Sequence, residues 1–227
     1  VDAVSIVTPT VNHYEIARYF IEKNKHVLIE KPMTQTVSEA KKLINLAKKH
    51  KKIIQIGHLE RFNPVIRKVS SLIKNPLFIE VHRLAQFNPR STDVNVIYDL
   101  MIHDIDITTS LVPSKIKKIS SFGKSIITNK IDIANARLEF FNGTIANLTA
   151  SRISQKSERK IRIFEKDKYL SLDFLQPKLK IVEKVKKKSS KLFKTLEYNY
   201  KKTDALNDEI IDFINSIRMN KKPLVDG

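Results

Sequence analysis

The chain has 227 residues, 41% apolar and 29% charged, with no cysteine and a formal net charge of +18. That length admits one large domain or two small ones, and the composition supports a real hydrophobic core. The lack of cysteine excludes disulfides and thiolate catalysis and is compatible with a reducing cytoplasm. No stretch is apolar for long enough to form a membrane span.

The start, Val1-Asp2-Ala3-Val4, enters a strand pattern with no basic region before it, so no signal peptide is expected and the expected location is the cytoplasm. Lysines number 32 and arginines only 10, alongside many Ile and Asn. Proteins that read base edges lean on Arg for bidentate contacts, so residue bias explains the charge better than a nucleic-acid partner does. The densest basic run, Lys178 to Lys202, contains Val185-Lys186-Lys187-Lys188-Ser189-Ser190-Lys191 and reads as a solvated hairpin tip. A positive surface would also help attract a phosphorylated substrate.

Ala3-Val4-Ser5-Ile6-Val7 is a short apolar run ended by Thr8-Pro9-Thr10, as suits a central parallel strand. A helix follows from Asn12, with Ile16, Tyr19 and Phe20 on its apolar face and Asn24 as a left-handed cap. His26–Ile29 is the next strand. It leads into Glu30-Lys31-Pro32, where an acid, a base and a proline sit at a strand end. Thr36 and Glu39 form a capping box for a second helix, with Leu43, Ile44 and Ala47 inward and Lys48–Lys52 at its negative end. Ile53–Gly57 is a third strand. Residues 1–57 therefore read as a βαβαβ unit.

After Gly57-His58-Leu59-Glu60-Arg61-Phe62-Asn63-Pro64 a helix runs to about Lys74. Alternation then sets Phe78, Glu80, His82 and Leu84 against Ile79, Val81, Arg83 and Ala85. Residues 93–112 are helical in pattern. From Ile116 the chain reads as antiparallel sheet, with hairpins at Asn142-Gly143 and Lys166-Asp167 and lysine-edged strands at Lys178–Val185 and Thr195–Tyr200. Asp204–Met219 is an amphipathic helix, with Leu206, Ile210, Phe213, Ile214 and Ile217 inward. The predicted fold is α/β: a partial Rossmann domain (the βαβαβ half) over residues 1–62, then an α+β domain with a mostly antiparallel sheet over 63–227.

Two stretches carry chemistry. Lys31, beside an acid at a strand end, can donate to a substrate oxygen and stabilise alkoxide charge. Asp99 and His103 are four apart, the spacing at which a carboxylate orients an imidazole as a general base, and Asp106 lies a turn further on. Each has a plainer reading, a solvated Glu-Lys pair and an ordinary helix histidine, and residue spacing alone favours the plainer one. The apolar Leu100, Met101, Ile102 and Ile105 leave little room for a solvated face, which tilts the helix toward a polar pocket. His13, at a helix start, places backbone N–H groups where a ligand could face them. His26, His50 and His82 read as structural or solvent-facing. The six histidines show no tight metal-ligand spacing, and no metal is expected.

Taken together, Val7-Thr8-Pro9 with Asn12-His13, Lys25-His26-Val27-Leu28-Ile29-Glu30-Lys31-Pro32, Gln55-Ile56-Gly57-His58 and the D-x-x-x-H-x-x-D helix Asp99 to Asp106 resemble the Gfo/Idh/MocA family of nicotinamide-dependent oxidoreductases. The stretches 57–64 and 99–106 look more narrowly like its UDP-N-acetylglucosamine 3-dehydrogenase branch. The resemblance implies a Rossmann domain and a substrate domain whose sheet supports homo-oligomers. It implies Lys31 and His103 as catalytic residues with Asp99 beside them. Thr8, Pro9, Asn12, His13, Glu30 and Lys31 would contact NAD or NADP, with NAD ahead, and Arg61, Asn63 and Asp99 would contact a sugar or nucleotide-sugar substrate. Neither nucleic acid nor a membrane is implied.

The chain departs from the family in one respect. Its four glycines, Gly57, Gly123, Gly143 and Gly227, form no G-x-G-x-x-G. The expectation is therefore a fragment lacking the first βαβ part, with poor cofactor affinity. The alternative is a non-catalytic remnant that binds a sugar nucleotide or a protein partner.

Overall fold

The computed structural model describes residues 1–89, 94–185, 192–201 and 203–227. They form two compact units, Val1–Asn63 with Thr203–Gly227, and Pro64–Lys202.

The first unit is built on three parallel strands, β1 (Ala3–Ile6), β2 (His26–Glu30) and β3 (Ile54–Gly57), in the order β1-β2-β3. Helices α1 (His13–Glu22) and α2 (Val37–His50) make the crossovers. Local chemistry sets their ends. Asn24 adopts φ 59° after α1. At α2 the Thr36 hydroxyl accepts from the Glu39 N–H while the Glu39 carboxylate accepts from the Thr36 N–H, the full capping box. Val27, Ile29, Leu43 and Ile56 fill the core between sheet and helices. In α1 the buried stripe is His13, Ala17 and Ile21, and Tyr19 is exposed. The stripe is thus rotated from the expected Ile16/Tyr19/Phe20 face. Ala17 lets the helix approach the sheet, and Ile16 and Phe20 pack at the margin.

Helix α5 (Ala205–Arg218) also belongs to the first unit, not to the domain that the sequence assigns it to. Gln55 Nε2 in β3 donates to the Glu209 carbonyl at 2.9 Å, and Ile56 N–H donates to the Val225 carbonyl at 3.1 Å. Long-range bonds of this kind leave no local sequence signal. The stripe of α5 differs too. Glu209, Phe213 and Ser216 are buried, while Leu206, Ile210 and Ile214 are exposed.

The second unit is an eight-stranded sheet with helices α3 (Pro64–Leu72) and α4 (Ile102–Leu111). Its strands are β4 (Phe78–Leu84), β5 (Ile116–Lys124), β6 (Ile133–Phe140), β7 (Ile145–Ser151), β8 (Glu158–Glu165), β9 (Lys168–Asp173), β10 (Lys178–Lys184) and β11 (Phe193–Asn199). The order is β11-β10-β9-β8-β4-β7-β6-β5, and only β4 and β7 pair in parallel. Along β4, Ile79, Val81 and Arg83 point into the core and Glu80 and His82 to the other face, as the alternation predicts. The hairpins turn where expected, at Gly143 (φ 86°) and Asp167 (φ 62°). The basic tip around Lys186–Lys191 lies outside the described residues.

A methyl group added at Gly143 would meet no atom within 4 Å, so only the positive φ opposes a side chain there. Gly143→Ala should therefore cost about 1–2 kcal/mol, read as a lower urea midpoint at unchanged slope.

Candidate active site

In the first unit, the carboxyl ends of three parallel strands deliver three loops, Thr8-Pro9, Lys31-Pro32 and Gly57-His58. Open α/β sheets bind ligands at this edge. The His13 ring ties two of the loops together. It is buried, with Nε2 2.8 Å from the Thr8 carbonyl and Nδ1 2.9 Å from the Pro32 carbonyl. Both ring nitrogens are thus turned to loop carbonyls, which makes His13 a tether. Thr8, Pro9 and Asn12 are exposed, and Glu30 and Lys31 half-buried. The Lys31–Pro32 peptide is cis, and the Lys31 N–H donates to Glu30 Oε2 at 3.2 Å. Arg61 and Asn63 lie in and just after the 3₁₀ turn Leu59–Phe62 that leaves β3, a turn anchored by the fully buried Phe62.

These groups fit the nicotinamide end of a dinucleotide: an ammonium, exposed loop backbone and strand ends side by side. The pyrophosphate needs a glycine-rich turn, which this sequence does not contain.

In the second unit, Asp99 and His103 sit at the head of α4. The turn Ile97–Met101 is a π-helix, closed by the Ile102 N–H donating to the Ile97 carbonyl. Asp99 and His103 therefore do not stack with the simple α-helical offset that four-residue spacing predicts. Single π turns inside helices are common at functional sites. The turn is held from several sides. Asn95 Oδ1 accepts from the Ile97 and Tyr98 N–H groups at 3.1 and 3.0 Å, and Val96 N–H donates to the Ile131 carbonyl at 2.9 Å. Arg152 Nη2 donates to the Val94 and Ile131 carbonyls.

Asp132, fully buried, stands 3.7 Å from the Arg152 guanidinium. Burial alone would raise the Asp132 pKa. The Thr128 hydroxyl and the N–H groups of Thr128, Ile126 and Ile127 outweigh it and hold the carboxyl well below the usual range.

Next to His103, Asp104 turns into the core. The Arg83 guanidinium of β4 meets it at 2.9 Å through both Nε and Nη2, and both side chains are almost fully buried. This pair locks α4 onto the sheet and so sets the direction in which half-buried His103 and Asp106 project. The sequence offered Asp104 only as a neighbour of His103, and Arg83 only as an inward strand position. An arginine on an apolar strand face was the one signal of a buried partner. Among the described residues, no group of three His, Cys, Asp or Glu side chains could hold a metal, and no helix is long and apolar enough to cross a membrane.

Parallel strands with loops at their carboxyl ends in one unit are the pattern of a dinucleotide-binding fold. Residues 1–58 match the model of the oxidoreductase family with an NAD-binding Rossmann fold, and residues 66–170 match the GFO/IDH/MocA C-terminal domain. The chain belongs to the Gfo/Idh/MocA family. It is 39% identical over 230 residues to UDP-N-acetylglucosamine 3-dehydrogenase of Acidithiobacillus ferrooxidans, covering all of this chain and 74% of that protein. The crystal structure of that enzyme superposes with a TM-score of 0.93, over all of this chain and 73% of that one. A scyllo-inositol 2-dehydrogenase (NAD(+)) of Bacillus subtilis is 29% identical over 170 residues, covering 68% of this chain and 49% of its own. An oxidoreductase domain protein from Kribbella flavida, at 18% identity and TM-score 0.89 over all of this chain and 74% of its own, shares the fold.

Removing one partner of a buried ion pair strands the other charge. Arg83→Met should therefore cost about 3–5 kcal/mol, and Arg83→Met with Asp104→Leu should recover much of it. A double-mutant cycle by chemical denaturation measures the difference.

Proposed function

We propose that this protein oxidises a hydroxyl-bearing carbon of a nucleotide-linked amino sugar, UDP-N-acetylglucosamine first, passing hydride to a nicotinamide cofactor. The observation that carries this is the 39% identity, along the whole chain, to a UDP-N-acetylglucosamine 3-dehydrogenase. NAD is favoured over NADP because the name of the scyllo-inositol 2-dehydrogenase relative carries NAD(+).

The residues take the following roles. Lys31 Nζ donates to the substrate oxygen and stabilises negative charge as it grows. His103 removes the hydroxyl proton as general base, with Asp99 nearby in the substrate pocket. Thr8, Pro9, Asn12 and Glu30 line the nicotinamide side, and His13 keeps two of those loops in place. Arg61 and Asn63 contact the sugar nucleotide. When bound, the cofactor supplies the hydride acceptor, and the protein supplies geometry and proton handling. The half-exposed outer face of the second unit's sheet, with Glu80, His82 and Arg162 on it, is the surface proposed for self-association.

The test is steady-state appearance of reduced nicotinamide with UDP-N-acetylglucosamine in the intact protein. Lys31→Met and His103→Ala should each lower kcat by about 10²–10⁴-fold with little change in KM, while Lys187→Ala leaves both parameters unchanged. Equal losses at Lys187 would overturn the assignment of these residues. Turnover of inositols but of no sugar nucleotide would overturn the substrate.

A further inference from the structure

Glu209 is the charged residue least expected where it lies. It is 1% exposed, on the inward stripe of α5 with Phe213 and Ser216. A carboxylate seldom occupies such a position without a cation, and none of the ion pairs among the described residues involves it.

The strand register shows what it faces. Glu30 pairs with Gly57, and Leu28 with Gln55. Side chains alternate along strands, so Glu30, Gly57 and Gln55 share one face of the sheet. Gln55 Nε2 donates to the Glu209 carbonyl, so this is the face that α5 covers. Gly57 leaves room on it: a Cβ there would stand 3.1 Å from Glu30 Cδ and Oε2. The Glu30 carboxylate therefore lies across β3, on the side that α5 covers, instead of turning out to solvent.

Other titratable or charged groups lie on the segments adjoining this face. His58, Glu60 and Arg61 come from the segment after β3, Asp208 and Asp212 from α5 itself, and Asp226, ion-paired to Lys222, from the final segment bridged to Gln55. None of them is a cation set against Glu209. Burial first, and the Glu30 charge second, push the Glu209 carboxyl up to about 7. Oε1 of Glu209 and Oε1 of Gln55 are both buried without a hydrogen-bond partner among the described residues, two acceptors that a proton on Glu209 would relieve.

We propose that Glu209 is a positioning residue for the Glu30-Lys31-Pro32 turn, standing protonated, and so neutral, on the face across which the Glu30 carboxylate lies. A neutral Glu209 lets the Glu30 carboxylate stay under α5, where its Oε2 accepts the Lys31 N–H, and so fixes where the Lys31 side chain starts. The catalytic consequence rests on the role proposed above for Lys31, whereas the carboxyl pair itself does not.

The sign of the pH effect follows from the raised pKa. The folded chain binds more protons than the unfolded one between the ordinary glutamate range and about pH 7. Stability from Glu209 is thus full at low pH and is lost as pH rises through that window. In the wild type, a protonated-carboxyl infrared band should fade with a midpoint near 7, and the thermal midpoint should fall over the same range. Glu209→Gln, which keeps a donor, should abolish both changes. Glu30→Gln should move the band's midpoint down, because the neighbouring negative charge is gone.

No such band in the wild type, or a midpoint unmoved by Glu30→Gln, would overturn the proposal. The wild-type measurement decides even if a variant fails to fold. In the intact enzyme, Glu209→Leu, which has no donor, should lower kcat about 10-fold or more with substrate KM held, and Glu209→Gln should restore it. Loss of both parameters together in Glu209→Leu would reduce Glu209 to a structural residue. Full activity in Lys31→Met would instead remove the role given to Lys31 and leave the carboxyl pair standing.

Discussion

The ring of His13 lies between two loop carbonyls, Thr8 O and Pro32 O, and the ligand-side edge of the first unit hangs from it. Strand ends are the least constrained part of a sheet, because the ladder of hydrogen bonds stops there. A buried side chain bonded to both loops supplies the constraint that the ladder no longer gives, and in a low-dielectric interior such bonds are strong. The two loops cannot shift independently while the ring is in place.

The second unit solves the same problem by other means. The Asp-His helix begins with a π turn, a weak start by local propensity. Arg152, braced by Asp132, holds the chain entering it, and Arg83 holds Asp104 one residue past His103. Buried ion pairs are a poor source of stability, since desolvation consumes most of the attraction. Their use here is directional: each fixes one register of helix on sheet, and the residues next to the anchors inherit it.

In both units, then, polar side chains are buried beside the residues assigned to chemistry, among apolar core residues. Glu209 under the Glu30-Lys31-Pro32 turn belongs to the same pattern. Such groups cost stability wherever their bonding is incomplete, and they persist where geometry matters more than tightness.

Much of this was legible in the residues. Hydrophobic period and turn chemistry determined the βαβαβ order, the Thr36 capping box, the left-handed Asn24, the Asn142-Gly143 hairpin and the alternation of β4, because each depends on neighbours within a few positions. The motifs around Lys31 and His103 determined the family. Tertiary structure decided the rest. It took α5 into the first unit, turned that helix so that Glu209 rather than Leu206 faces the sheet, rotated the buried stripe of α1, and opened a π turn at Asp99. It also joined Arg83 to Asp104 and His13 to Pro32. These outcomes depend on partners far apart in the chain, and a periodic pattern records only that a face is buried, not what it is buried against.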